Sequence, residues 1–260
     1  MTTIDPDVCA ALLRTLTDRV AAIEERPGAD QDLGSLIGWV KKTSHDAAEA
    51  MRIALAERYP DIGWVGEEEH PEAAHAVYWV HDPIDGAYHF LQGLPLWSSS
   101  LALVAGGRAV FALVYDPASG EMFTARDGLG AMVNGRSLAA AGKSDLGTAV
   151  LGTAIPPIAQ VGRDEQARAL ALLGVVSPQV FVVRQMAATS LQLAYVAAGR
   201  LDGYWEIGQD MADWLAGALL VREAGGAVSD LAGETLTWTS GSILAAAPEM
   251  HAALLPVMEP

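Results

Sequence analysis

The chain holds a single cysteine, Cys9, so no disulfide can form within it, and a reducing compartment is the natural setting. Cys9 lies in an apolar helical pattern, which marks a buried, inert thiol rather than a nucleophile. Basic residues are scarce: 16 Lys and Arg stand against 32 Asp and Glu, a net charge of −16. That balance disfavours a nucleic-acid duplex or an anionic membrane as partner, since both reward Lys and Arg. The N-terminus lacks a basic segment followed by an apolar run, and no stretch is long and apolar enough to cross a bilayer, so a cytoplasmic protein is expected. Internal repeats and low-complexity segments are missing too. None of these absences speaks against a phosphorylated substrate, because clustered carboxylates recruit divalent cations that reverse the local field.

What is present is an ordinary globular composition over 260 residues, 51% hydrophobic and 18% charged, enough for a substantial core in one large domain or two lobes. Asp5-Pro6 opens a helix whose apolar residues Val8, Leu12, Leu16, Val20 and Ile23 recur until Pro27-Gly28. A second helix is expected over 46–59, with 28–45 irregular. Short β-branched and aromatic runs at 62–65, 77–80, 101–104, 109–115 and 121–125 read as strands, with a turn at 116–120 and a hairpin signal at Asn134-Gly135. From about residue 145 strands and helices alternate: strands near 150, at 180–183, 202–206 and 243–246, and helices over 165–173, 189–198 and 213–224. The expected organisation is an N-terminal lobe, 1–145, and a C-terminal lobe, 146–260, packed as one unit.

Three acidic motifs follow apolar elements. Gly66-Glu67-Glu68-Glu69 closes a strand and, alone, reads as a solvated turn. His81-Asp82-Pro83-Ile84-Asp85-Gly86 is more specific, because two carboxylates flank a proline that restricts the backbone, and an ordinary Asx turn is the competing reading. Hard cations such as Mg²⁺ want oxygen ligands, which these carboxylates and a backbone carbonyl such as that of Ile84 supply. Gly86 would let backbone N–H groups approach a phosphate where a helix begins. Asp213 opens an apolar helix that Gly225-Gly226 stops, and an N-cap is its simplest explanation. Carboxylates from three separate segments are nevertheless how two-metal sites are assembled.

In this order and spacing the motifs resemble the inositol monophosphatase family, whose pattern runs GEE, then DPIDGT with a nearby NF, then WD, an apolar helix and EAGG. The chain matches with Gly66-Glu67-Glu68, Asp82 to Ala87, His89-Phe90, Asn134-Gly135, residues 197–206, Asp213 and Glu223-Ala224-Gly225-Gly226. The resemblance implies an α+β, layered αβαβα sugar-phosphatase-like fold, with a mostly antiparallel N-terminal sheet and a smaller mixed C-terminal lobe. It implies two Mg²⁺ ions on Glu67, Asp82, the carbonyl of Ile84, Asp85 and Asp213. It further implies phosphate contacts from Gly86 and Ala87, a substrate pocket touching Glu206 and Thr189, and a homodimer. The reaction implied is in-line attack of a metal-activated water on a small sugar, polyol or nucleotide phosphate.

Four positions depart from that pattern. Ala87 replaces a threonine whose hydroxyl helps a glutamate orient the attacking water. His45 takes the place of a metal-associated aspartate, with Asp46 beside it, which puts a third metal site in doubt. His89 stands for asparagine, and Ala187-Ala188-Thr189-Ser190 replaces a Gly-Ser/Thr-Ala-Ala run lining the pocket. Two readings stay open: an active phosphomonoesterase, or a non-catalytic phosphate- or metabolite-binding protein on the same fold. Within the first, fructose-bisphosphatase-like, histidinol-phosphatase-like and nucleotide-bisphosphate-phosphatase-like activities are equally compatible with the sequence.

Overall fold

A computed structural model describes residues 4–24, 26–27, 32–66 and 76–258. Helix α1 (Pro6–Ala21) begins as expected, with the Asp5 carboxylate accepting the N–H groups of Asp7 and Val8. Its buried stripe holds Cys9, Leu13 and Val20. Helix α2 (Leu33–Arg58) corrects the reading of 28–45 as irregular: it starts 13 residues before Asp46, capped by Asp32, which accepts the N–H of Ser35. Gly34, Gly38, Thr43 and Ser44 depress helix propensity there. Tertiary packing offsets this, since Trp39 stacks on Phe90 with ring centroids 5.8 Å apart.

Among the described residues, seven strands form the first sheet in chain order: β1 (Gly63–Val65), β2 (Val77–Asp85), β3 (Ser98–Ala105), β4 (Arg108–Asp116), β5 (Glu121–Arg126), β6 (Gly130–Val133) and β7 (Arg136–Ser137). Only the β1–β2 pair is parallel; the rest are antiparallel. The hairpin signal holds: Asn134 and Gly135 both take positive φ, 46° and 77°, between β6 and β7. The second sheet runs β11-β12-β10-β8-β9, with β8 (Val150–Thr153), β9 (Val182–Gln185), β10 (Gly203–Ile207), β11 (Ala227–Ser229) and β12 (Ser242–Ala246), in mixed orientation.

Five layers result, as the resemblance implied. Helices α1 and α2 cover one face of the first sheet through Leu13, Met51 and Leu55 against Trp79, Leu101 and Leu113. Helices α5 (Thr189–Ala197) and α6 (Met211–Glu223) fill the space between the sheets, packed against Val104 and Val114 on one side and Tyr204 and Ile243 on the other. Helices α4 (Ile158–Val176) and α7 (Pro248–Met258) close the outer face of the second sheet. A helix between two sheets has no solvent face, so α6 is apolar almost all round. Neither β11 nor α7 was expected from the sequence. Three residues are too short for a period, and α7 carries Pro256 inside it.

The centre of the molecule is held by close contacts. A Cβ on Gly217 would lie 2.4 Å from the Cβ of Leu193, so α5 and α6 approach at a distance only glycine permits. Glu223 ends α6 by accepting the N–H groups of Gly128 (2.9 Å) and Gly130 (2.7 Å), which ties the Glu-Ala-Gly-Gly motif to the turn between β5 and β6. Its role is structural.

Candidate metal centre and active site

Asp82 and Asp85 are three residues apart on β2, a spacing that points side chains to opposite faces of a regular strand. The pairing with β3 shifts between them: Asp82 faces Ser100 and Asp85 faces Ser98, three steps on β2 against two on β3. This irregularity lets both carboxylates face one point. Asp82 keeps its Asx turn, accepting the N–H of Ile84 at 2.9 Å, so the turn and the site are one feature. His81 lies behind it, its Nε2 3.2 Å from Ser99 Oγ, which donates to the carbonyl of Asp82. Burial lowers the His81 pKa to about 3, so this imidazole is neutral.

Asp85 is buried and accepts the N–H of Thr189 (3.0 Å), the N–H of Ser190 (2.7 Å) and the hydroxyl of Ser98 (3.3 Å). Burial lifts its pKa to about 6, against the pull of these donors. Asp213 comes from the first turn of α6. The cap of that helix is Asp210, not Asp213, because the helix starts at Met211. Ser190 donates to the carbonyl of Asp213 at 3.0 Å, so one residue of α5 braces both acids.

Oxygen atoms of Asp82, Asp85 and Asp213 lie within 4.8 Å of one another. The donor set is all carboxylate, two of the three acids are buried, and such a set suits Mg²⁺ or another hard divalent cation. Glu67 lies outside the described residues. His45 and Asp46 sit in the middle of α2, exposed, with Asp46 paired to Lys42 one turn away, and neither joins the cluster. The loop placed around them in the sequence is helix.

The cluster opens onto a cleft of about 310 Å³ that also touches Ile84, Gly86, Ala87, Thr189, Glu206 and Asp210. Gly86 has φ 89° and caps the short helix α3 (Ala87–Leu91). A Cβ there would come within 3.0 Å of the Ala188 Cβ and the Leu96 carbonyl oxygen, so glycine is required on two counts. Ala87, the first residue of α3, presents only a methyl group. Ala188 itself has φ 67° just before α5, a strained conformation for alanine that brings the N–H groups of Thr189 and Ser190 onto Asp85. His89 turns Nδ1 to the carbonyl of Leu96 at 2.7 Å.

Glu206, on β10, is 6% exposed. Its Oε2 accepts from Tyr204 OH (2.7 Å), Thr189 Oγ1 (3.0 Å) and Trp214 Nε1 (3.1 Å). Burial raises its pKa to about 7; the nearby charge of Asp210 adds to this, and the hydroxyl and indole donors oppose it. Sequence reading missed Trp214, Ser98 and Asp210 as site residues, and named Ser190 and Tyr204 only as members of longer runs, without the contacts they make here. Asp210 alone carried a signal, standing three residues before Asp213.

The model of the inositol monophosphatase family matches residues 7–259. The chain is 38% identical to an inositol-1-monophosphatase of Mesorhizobium japonicum over 221 residues, 84% of this chain and 81% of that one. It is also 38% identical to a Nus factor SuhB of Pseudomonas aeruginosa, covering 85% and 83% of the two chains. Among solved structures, an extragenic suppressor protein suhB from Bartonella henselae superposes with a TM-score of 0.82 at 28% identity, covering 98% of this chain and 97% of that one.

Proposed function

The chain belongs to the inositol monophosphatase family, and from that premise we propose that it is a Mg²⁺-dependent phosphomonoesterase acting on a small sugar, polyol or nucleotide phosphate. The observation that supports this most is the meeting of Asp82, Asp85 and Asp213 at the wall of the cleft. On this reading those three carboxylates hold two Mg²⁺ ions, together with Glu67 and the Ile84 carbonyl. When bound, the ions supply positive charge for the phosphoryl oxygens and leaving alkoxide and lower the pKa of water.

The chain's own residues orient and exclude. Thr189 and Ser190 N–H groups keep Asp85 turned toward the cluster, and the Ser190 hydroxyl fixes the start of α6 and hence Asp213. Gly86 and Ala87 bring backbone N–H groups to the phosphate end of the cleft. Glu206, locked by three donors on one oxygen, faces the alcohol part of the ester. The buried flanks of Asp82 and Asp85 keep bulk water from the carboxylates that hold the ions.

Ala87 favours a second reading, a weakly active or non-catalytic binding protein of the same fold, because it lacks the hydroxyl that would help position the attacking water. The Nus factor names among the relatives are compatible with it. Release of inorganic phosphate from a panel of monoesters, with and without Mg²⁺, separates the two. The enzyme reading predicts Mg²⁺-dependent release that Asp82→Asn and Asp213→Asn abolish. Release no greater than in those variants would leave only the binding reading.

A further inference from the structure

His81 is 2% exposed, and burying an imidazole costs free energy that an aliphatic side chain would not. It stands on β2 directly before Asp82, and strand alternation turns the two side chains to opposite faces of the sheet, Asp82 toward the carboxylate cluster and His81 toward α1 and α2. His81 pairs in register with Leu101, which packs under those helices, and its ring lies edge-on to Trp64 with centroids 6.0 Å apart. Among the described residues no group pairs with its Nδ1. The imidazole therefore sits in an apolar layer with one of its two nitrogens unused.

The other nitrogen is engaged. Nε2 lies 3.2 Å from Ser99 Oγ, and Ser99, two residues from Leu101 on β3, is the diagonal neighbour of His81 on the same face. The Ser99 hydroxyl donates its single hydrogen to the carbonyl of Asp82 at 3.1 Å. The hydrogen in the His81–Ser99 contact must then come from the ring, which fixes the tautomer as Nε2–H with a bare Nδ1. The reverse tautomer would turn the Ser99 hydrogen away from Asp82 and bury an N–H that has no acceptor. Ser99 lies between Ser98 and Ser100, the register partners of Asp85 and Asp82, so it stands opposite the shift in pairing. The peptide that follows the Asp82 carbonyl belongs to Pro83, which has no N–H of its own to anchor it.

Resting on the phosphomonoesterase reading and its metal centre, we propose that His81 is a positioning residue for the metal-binding carboxylate of Asp82, acting from the opposite face of the sheet through Ser99. Its Nε2–H orients the Ser99 hydroxyl, the hydroxyl holds the Asp82 carbonyl, and the carbonyl fixes the rotation of the Asp82–Pro83 peptide from which the carboxylate is presented. His81 touches neither ion nor substrate. Stability alone would favour an aliphatic side chain in the layer of Trp79, Leu101 and Leu113, so the imidazole is explained by what its N–H does.

The test measures Mg²⁺ affinity by calorimetry on the metal-free full chain, with phosphate release and the urea midpoint beside it. In His81→Leu the Mg²⁺ Kd should rise about tenfold or more, within the roughly 10–100-fold range for partners that orient metal ligands, while the metal-free midpoint stays level or rises. His81→Gln, whose amide nitrogen can take the place of Nε2 as donor, should recover most of the affinity. Ser99→Ala should weaken binding as His81→Leu does, and the double variant should be no weaker than either alone, since both break one chain of hydrogen bonds. A side-chain imidazole NMR spectrum should place the His81 hydrogen on Nε2. An unaltered Kd in His81→Leu, a loss that glutamine does not restore, additive effects in the double variant, or a hydrogen on Nδ1 overturns the proposal. A lower midpoint or failure to fold in His81→Leu assigns His81 a packing role and overturns it as well. If the unaltered protein binds Mg²⁺ but hydrolyses no ester, the phosphatase reading falls and the affinities still decide the role of His81; if it binds no Mg²⁺, the metal centre falls and the proposal with it.

Discussion

Ser190 donates its backbone N–H to Asp85 at 2.7 Å across 105 residues of sequence and its hydroxyl to the carbonyl of Asp213 at 3.0 Å. One residue at the start of α5 therefore sets the separation of two acids that come from different layers. The first turn of α5 acts as a positive terminus for the buried Asp85, which is why that carboxylate can exist inside the protein without a side-chain cation. A bound divalent ion adds the charge that these dipoles only partly supply.

Mg²⁺ should stabilise the folded state. At a concentration about 100 times its Kd it adds about 2.7 kcal/mol, and for a chain of this size that raises Tm by about 5 °C or more. Asp82→Asn and Asp213→Asn should fold but lose most of this shift in a thermal melt with and without Mg²⁺. An undiminished shift in both variants would place the ion elsewhere.

Ala87→Thr restores a hydroxyl at the first residue of α3, facing the cleft. If its absence limits turnover, kcat should rise by about tenfold or more while KM changes little, within the roughly 10²–10⁴-fold range for a positioned proton-transfer group. Steady-state kinetics on both proteins checks this. An unchanged kcat would mean that water positioning does not depend on residue 87.

Glu206 makes stability fall as pH rises. Its pKa is about 7 in the fold against 4.5 for a free glutamate side chain, so between these values the unfolded chain releases a proton that the native chain keeps. Stability from this group is fully present below about pH 4.5 and is lost through pH 7, a change on the order of 3 kcal/mol. Glu206→Gln, which can still accept from Tyr204, Thr189 and Trp214, should flatten that slope and raise Tm at neutral pH in metal-free protein. Denaturant unfolding at several pH values measures it, and an identical slope in the variant would remove Glu206 as the cause.

Two helical glycines should respond in opposite senses. Gly217→Ala drives a Cβ into Leu193 and forces α5 from α6, which should cost about 1–3 kcal/mol and weaken the hold of α5 on Asp85. Gly174→Ala, in α4 with nothing within 4 Å of the new Cβ, should be neutral or stabilising by about 0.5–1 kcal/mol. Urea midpoints of the two variants give the comparison.

Most strand positions along the chain were readable because the sheet-forming runs are short, β-branched and bounded by turns such as Asn134-Gly135. Helix α2 was not fully readable. Its first turns are poor in propensity and are held by Asp32 and by Trp39 against Phe90, a partner 51 positions away in the chain. Helix α7 was missed because its sequence carries an internal proline and its apolar residues gain from the outer face of the second sheet.

The sequence by itself determined the family and the identity of Asp82, Asp85 and Asp213, because the residue types and spacing within each short motif are local properties. It also showed Ala87 and the altered 187–190 run. What it could not determine is which groups meet across layers. The shift in pairing that turns Asp82 and Asp85 to one side, the brace of Ser190, the three donors on Glu206 and the presence of Asp210 beside it all depend on packing between elements far apart in the chain. Burial then sets the charge preference of those carboxylates, and burial exists only once the two sheets have closed around α5 and α6.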